Sequence, residues 1–193
     1  MRRQILMRLA LVLGMAWTGS VSATDLNAGW LAYQSQDYGR AHELWLPAAR
    51  NGSMMAQNNL GVMYLNGLGV ERDDAAAAHW FEQAATQGHA AAQTSLGVLY
   101  MEGRGVQRDY FVAFELWHRA AKVEFAEAQY NLGQMYAKGV GVSRNYEKAM
   151  TWFRKAAQQG HALAQASQED LLRRGLGLKR LPFPKDSMWS KFG

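Results

Sequence analysis

Five histidines, one adjacent pair of carboxylates and a set of closely spaced glycines are the residues of this sequence from which chemistry could be built. The histidines are His42, His79, His89, His118 and His161. No two stand four apart on a helix, and neither H-E-x-x-H nor H-x-H occurs, so the spacing that brings two imidazoles to one metal is missing. The chain contains no cysteine, which removes the usual structural zinc sites. His89 and His161 each follow a glycine and read as polar residues at helix starts. No Ser is followed three residues later by Lys, and G-x-S-x-G is absent, so the familiar serine acyl-transfer patterns are missing. Gly67-Leu68-Gly69 lacks the third glycine of a dinucleotide loop and follows a helix rather than a strand. Asp73-Asp74 resembles a paired carboxylate, but Asp73 is explained by helix capping, and tyrosines (Tyr110, Tyr146) stand at the position of Asp74 further along. The sequence therefore assigns no catalytic, cofactor or metal residue.

The same glycines point instead to architecture. Three stretches superimpose at a shift of 36 residues. Gly61, Gly97 and Gly133 fall in step, as do Tyr64, Tyr100 and Tyr136. The loop pairs Gly67/Gly69, Gly103/Gly105 and Gly139/Gly141 follow, then Asp73, Asp109 and Asn145, then Ala84-Ala85, Ala120-Ala121 and Ala156-Ala157. A fixed period of this size means stacked units rather than one closed core.

Each unit reads as a helix hairpin. In 53–88, Ala56, Leu60 and Tyr64 share one helical face. Gly61 lies beside them, where it costs about 1 kcal/mol against Ala and so implies close packing in return. Gly67 to Val70 breaks the helix, and Asp73 stands where the next helix needs an N-cap acceptor. Ala77, Trp80, Phe81, Ala84 and Ala85 form the apolar face of the second helix, which stops at Gly88. One such hairpin cannot bury its apolar face alone; the next one covers it.

The pattern A-x-x-x-L-G-x-x-Y-x-x-G-x-G-V, followed by D, A, an aromatic pair, A-A and G, resembles the Sel-one-like repeats, relatives of the tetratricopeptide repeats. The resemblance is dense over residues 53–160 and implies an all-α, right-handed α-solenoid of antiparallel helix hairpins. The expected organisation is a leader at 1–23 and a solenoid at 24–178. Within the solenoid come a partial hairpin 25–52, repeats 53–88, 89–124 and 125–160, and a polar capping helix 161–174. A basic aromatic tail follows at 179–193. The first flank has no leucine-glycine first helix, and Pro47 inside its second helix is expected to kink it. Glu124 replaces the turn glycine found at Gly52, Gly88 and Gly160, so a differently shaped turn is expected before Phe125. Trp45, Trp80, Trp117 and Trp152 occupy helix-packing positions, and Trp30 is assigned to the core with them. Trp189 stands apart.

Arg2, Arg3 and Arg8, an apolar run from Leu9 to Trp17, and Val21-Ser22-Ala23 have the layout of a cleavable secretory leader. The run is too short for a membrane span, which takes roughly 20 residues. The expected location is the periplasm, with secretion as the alternative. The net charge of +5 is unevenly placed. Residues 24–170 carry 12 basic and 15 acidic side chains, whereas 171–193 carry six basic and one acidic. A basic nucleic-acid-binding surface is therefore not expected on the body.

The family resemblance implies a non-enzymatic adaptor with protein partners, and solenoids offer extended curved surfaces for that purpose. In the related tetratricopeptide folds, the face of the first helices opposite Leu60 and Tyr64 lines the groove. Here that face carries Asn58, Val62, Leu65 and Asn66, then Thr94, Val98, Met101 and Glu102, then Tyr130, Gln134, Ala137 and Lys138. The competing assignment for Val62 and Val98 is plain packing against neighbouring repeats. In the tail, Phe183 and Trp189 are candidate contacts for the solenoid, a partner or an anionic envelope surface. A host-directed effector and a β-lactam- or peptidoglycan-interacting enzyme are the alternative functions. The second lacks the cysteine pair per repeat that marks that branch of the family.

Overall fold

The computed structural model describes residues 23–177. The expected leader, the cleavage site ahead of Thr24 and the tail with Phe183 and Trp189 lie outside the described residues, apart from Ala23. Among the described residues there are nine helices and no strand. They are α1 (Ala23–Gln34), α2 (Tyr38–Arg50), α3 (Met54–Asn66), α4 (Asp74–Thr86), α5 (Ala90–Glu102), α6 (Tyr110–Lys122), α7 (Ala126–Lys138), α8 (Tyr146–Gln158) and α9 (Ala162–Arg173). Each helix packs on its neighbours in sequence, and the first helices α3 and α5, and α7 and α9, also touch. The fold is an all-α helical-repeat solenoid.

Local chemistry sets the helix ends. Asp73 accepts from Ala75 N and Ala76 N at 2.9 Å, and Asp109 from Phe111 N and Val112 N at 2.9 and 3.0 Å. Asp37 and Asn145 accept only from the third residue on, Arg40 N and Lys148 N. Such side-chain caps are worth about 1 kcal/mol each. The first helices α3, α5 and α7 end on Gly67, Gly103 and Gly139, all at φ near +70°. Two residues on, Gly69 lies so close to the start of α2 that a Cβ would fall 2.5 Å from the Tyr38 carbonyl carbon. Each loop is thus seated on the preceding hairpin.

The core forms across the joints. Ala41, Trp45, Ala48 and Ala49 of α2 pack with Ala56, Leu60 and Met63 of α3. The clusters of α4 with α5, α6 with α7, and α8 with α9 repeat this arrangement. Inside each hairpin a glycine faces an aromatic ring. A Cβ on Gly61 would sit 2.6 Å from Phe81 and one on Gly133 2.5 Å from Phe153, and Gly97 is pressed against Trp117. Trp45, Phe81, Trp117 and Phe153 are all buried, whereas Trp80 and Trp152 are only half-buried.

Three expectations are corrected. The first hairpin does contain the glycine contact: Gly29 is pressed against Trp45. Its loop is shorter, from Ser35 to Asp37 rather than Gly67 to Asp73, so α1 is offset from α3 by 32 residues instead of 36. Two hydrogen bonds confirm the offset. Trp45 Nε1 donates to Leu26 O as Trp117 Nε1 donates to Thr94 O, and Asp37 N donates to Ala32 O as Asp73 N donates to Tyr64 O. That offset also moves Trp30 out of the core. It aligns with Val62 and is 50% exposed, stacked on Tyr33 with centroids 5.7 Å apart. Finally, Glu124 does not reshape its turn. It enters the left-handed region at φ +62°, and Phe125 N bonds Ala120 O at 3.1 Å just as His89 N bonds Ala84 O at 3.1 Å. The helix α2 runs to Arg50 across Pro47.

Candidate functional site

The outward side of the first helices differs from repeat to repeat, and two cavities on it lie on either side of α7. One, of about 360 Å³, lies between α5 and α7 over Val98, Met101, Glu102, Trp117, Met135 and Val140. The other, of about 450 Å³, lies between α7 and α9 and is floored by Tyr146, Phe153 and Leu171, with Asp170 and Arg174 among its walls. Tyr130, Gln134 and Lys138 line both. Helical spacing explains this: residues four apart stack along one stripe, so these three side chains form the ridge between the cavities.

The ridge is held by polar contacts. Gln134 Nε2 donates to Tyr130 Oη at 3.0 Å and reaches Ser167 Oγ on α9 at 3.4 Å. Tyr130 stacks on His161 with centroids 4.7 Å apart, and His161 Nε2 lies 2.8 Å from Glu127 Oε2. Lys138 is exposed and has no ion pair among the described residues. Asp170 is shared by Arg173 at 3.0 Å and Arg174 at 3.1 Å, which hold its carboxyl below the ordinary range, Arg174 contributing most. The floor is apolar and the rim carries charge, an arrangement suited to an apolar side chain flanked by polar ones.

Of the residues the sequence pointed to, Val98, Met101, Glu102, Tyr130, Gln134, Ala137 and Lys138 line these cavities. Thr94 does not: it is 4% exposed, and its hydroxyl donates to Ala90 O at 2.8 Å, so it belongs to the packing. Val62 and Leu65 are half-buried against the α4–α5 core. Asn66 donates to Val62 O at 2.8 Å. Asn58 is half-buried, with its Oδ1 enclosed and without a hydrogen-bond partner. The sequence reading missed Trp30 and Tyr33 on this face, because the 32-residue offset hides them from a 36-residue period.

Other titratable clusters are structural. His89 and His161 accept the N–H groups of Ala92 and Ala164 through Nδ1 at 3.2 Å, capping their helices, and burial pushes the His89 pKa down. Asp74 is bound by Arg104 and Arg72 and is held at about 2 by those hydrogen bonds. Among the described residues no group of three His, Cys, Asp or Glu is arranged to hold a metal ion. No described helix is long and apolar enough to cross a membrane.

A family model described as the Sel1 repeat matches residues 29–53, 55–89, 90–122 and 126–161. Among solved structures, the chain is similar to a protective antigen present in uropathogenic Escherichia coli strains that displays an SLR fold. The identity is 38% over 81% of this chain and 34% of that one, with a TM-score of 0.75. It is also similar to a Sel1 repeat protein from Oxalobacter formigenes, at 32% identity over 81% of this chain and 65% of that one, with a TM-score of 0.74. The chain thus spans about a third of the length of the first protein and just under two thirds of the second. No curated protein matches it.

Proposed function

The chain belongs to the Sel1 repeat family, and on that premise we propose that it is a non-enzymatic adaptor of the bacterial cell envelope that holds a protein partner on its first-helix groove. Proteins of this family are interaction modules, and solenoids present extended surfaces rather than closed active sites. The observation that carries the reading is the pair of cavities sharing Tyr130, Gln134 and Lys138. The floors, Val98, Met101 and Met135 in one cavity and Tyr146, Phe153 and Leu171 in the other, take apolar side chains, and Lys138 on the ridge between them favours an acidic group. The partner segment is therefore an apolar-acidic-apolar stretch of protein, not nucleic acid.

The envelope assignment is supported by the leader-like residues 1–23 and by the likeness to a protective antigen of uropathogenic Escherichia coli. That likeness also keeps a secreted, host-directed role as the second reading. Export predicts a mature protein beginning at Thr24, which N-terminal sequencing of the fractionated protein checks; retention of residues 1–23 would count against it. Groove binding is tested by capture from envelope extract with the mature chain and with a Val98→Asp, Gln134→Arg variant. The wild type should retain a discrete partner that the variant loses, while Phe111→Asp on α6 should retain it. Equal capture by all three would remove the groove from the function.

A further inference from the structure

Helix α9 has one packed side and one open side. Ala164 and Leu171 are buried in the core shared with α8. Gln165, Glu169 and Leu172 stand four and three apart and share a different face. By register these are the positions of Gln129, Gly133 and Tyr136 on α7, and there α8 covers them. Gln159 donates to Gln129 at 2.8 Å, Phe153 packs on Gly133, and Lys148 lies 5.1 Å over the Tyr136 ring. Among the described residues no helix plays this part for α9, and Leu172 is 42% exposed on the open face.

The chain departs from α9 along a path it has already taken three times. Leu176 N bonds Leu171 O at 2.8 Å, as Leu68 N bonds Met63 O and Val140 N bonds Met135 O. Gly177, at φ +76°, is seated on Tyr146 and Met150 of α8, as Gly141 is seated on Tyr110 of α6. Twelve residues beyond Gly69, Gly105 and Gly141 come Phe81, Trp117 and Phe153, none more than 4% exposed. Twelve residues beyond Gly177 comes Trp189.

We propose that the chain's own residues 178–193 lie back over the open face of α9, where the other hairpins place their second helix, with Trp189 as the anchor. The departures from the repeat are consistent with this. Glu169 stands at the glycine position, so an aromatic ring there rests on side chains instead of backbone. Lys185 falls at the position of Ala149 and brings a cation toward that carboxylate. Pro182 and Pro184 fall in what is the first turn of α8 by register, where a missing N–H breaks no helical hydrogen bond.

The chain has no cysteine, which makes thiol labelling a clean test. Leu172→Cys in the full chain should react with a maleimide about tenfold more slowly than in the same variant lacking residues 182–193, the factor given by a docking free energy of about 1.4 kcal/mol. Trp189→Ala in the full chain should restore the fast rate. Gln165→Cys reads the same face without removing the leucine, and Val123→Cys, at a site 66% exposed on α6, should react alike in both lengths. Equal rates in full and shortened chains would overturn the proposal. Protection that grows with protein concentration would overturn it in favour of a second copy on this face.

Discussion

The inside of each hairpin and the outside of its first helix obey opposite rules. Inside, Gly29, Gly61, Gly97 and Gly133 each lie against one ring, from Trp45, Phe81, Trp117 and Phe153 in turn. Only Trp and Phe alternate, and even the short first loop preserves the contact. Outside, aligned positions read Trp30, Val62, Val98 and Gln134, then Tyr33, Leu65, Met101 and Ala137. A close-packed contact tolerates few residue types because added volume has nowhere to go. A surface free of that constraint varies with what it meets. The constancy therefore belongs to the fold, and the proposed function assigns the variation on this face to recognition. The outer face grades from aromatic at α1 to polar and charged at α7.

The contrast is broken most severely by filling the constant contact. Gly97→Leu forces a side chain into the Trp117 indole and displaces the 3.0 Å bond from its Nε1 to Thr94 O. A loss of about 3 kcal/mol is expected, read as a fall in the denaturation midpoint. Gln134→Ala or Lys138→Ala on the outer face should stay within about 0.5 kcal/mol. Comparable losses for inner and outer variants would erase the distinction.

A smaller effect, in the opposite direction, sharpens it. Glu124 is one of two described non-glycine residues with positive φ, the other being Gln36. Its turn also lacks two features of its counterparts. Phe125 gives no side-chain cap to α7, and Val123 stands where Gln87 and Gln159 bond Gln57 and Gln129 at 2.7 and 2.8 Å. Glu124→Gly should raise stability by about 0.5–1 kcal/mol, since glycine enters this region without a Cβ clash. The reverse change at an equivalent turn, Gly88→Glu, should lower it. Thermal melts of both variants check the pair.

The smallest effect concerns one joint. Arg104 binds Asp74 across the α4–α5 hairpins at 2.9 and 3.0 Å, where the other joints carry tyrosine at the position of Asp74. The Asp74 pKa falls from 3.8 to about 2. A carboxylate lowered in this way contributes stability that is fully present above about pH 4 and is lost as pH falls toward 2. The pair is solvent-screened, so its contribution is slight. Asp74→Asn should flatten the acid limb of the stability profile between those values and change little at pH 7. An unchanged acid limb would show that the pair carries none of it.

Most of the fold was legible in the sequence because each hairpin states the same caps, turn glycines and apolar stripe in the same register. Trp30 was misplaced for the same reason: a four-residue deletion in the first loop breaks the count while preserving the contact. Glu124 was misread because glycine preference is a cost and not a prohibition, and the surrounding packing holds the turn in shape. The groove residues of α5 and α7 could be placed on a face from helical spacing alone. The two cavities could not, since they depend on how far apart α5, α7 and α9 stand. Thr94 shares the stripe with Val98 in sequence, yet it sits at the buried end of the helix, and that difference is set by tertiary packing.

The claim that the variable face is the binding face is tested most directly by site-specific photo-crosslinking in the source organism. Gln134→p-benzoylphenylalanine and Val98→p-benzoylphenylalanine should give covalent adducts to one discrete protein. Phe111→p-benzoylphenylalanine, at a site 70% exposed on α6, should give none. Adducts from position 111 with none from 98 or 134 would contradict the account.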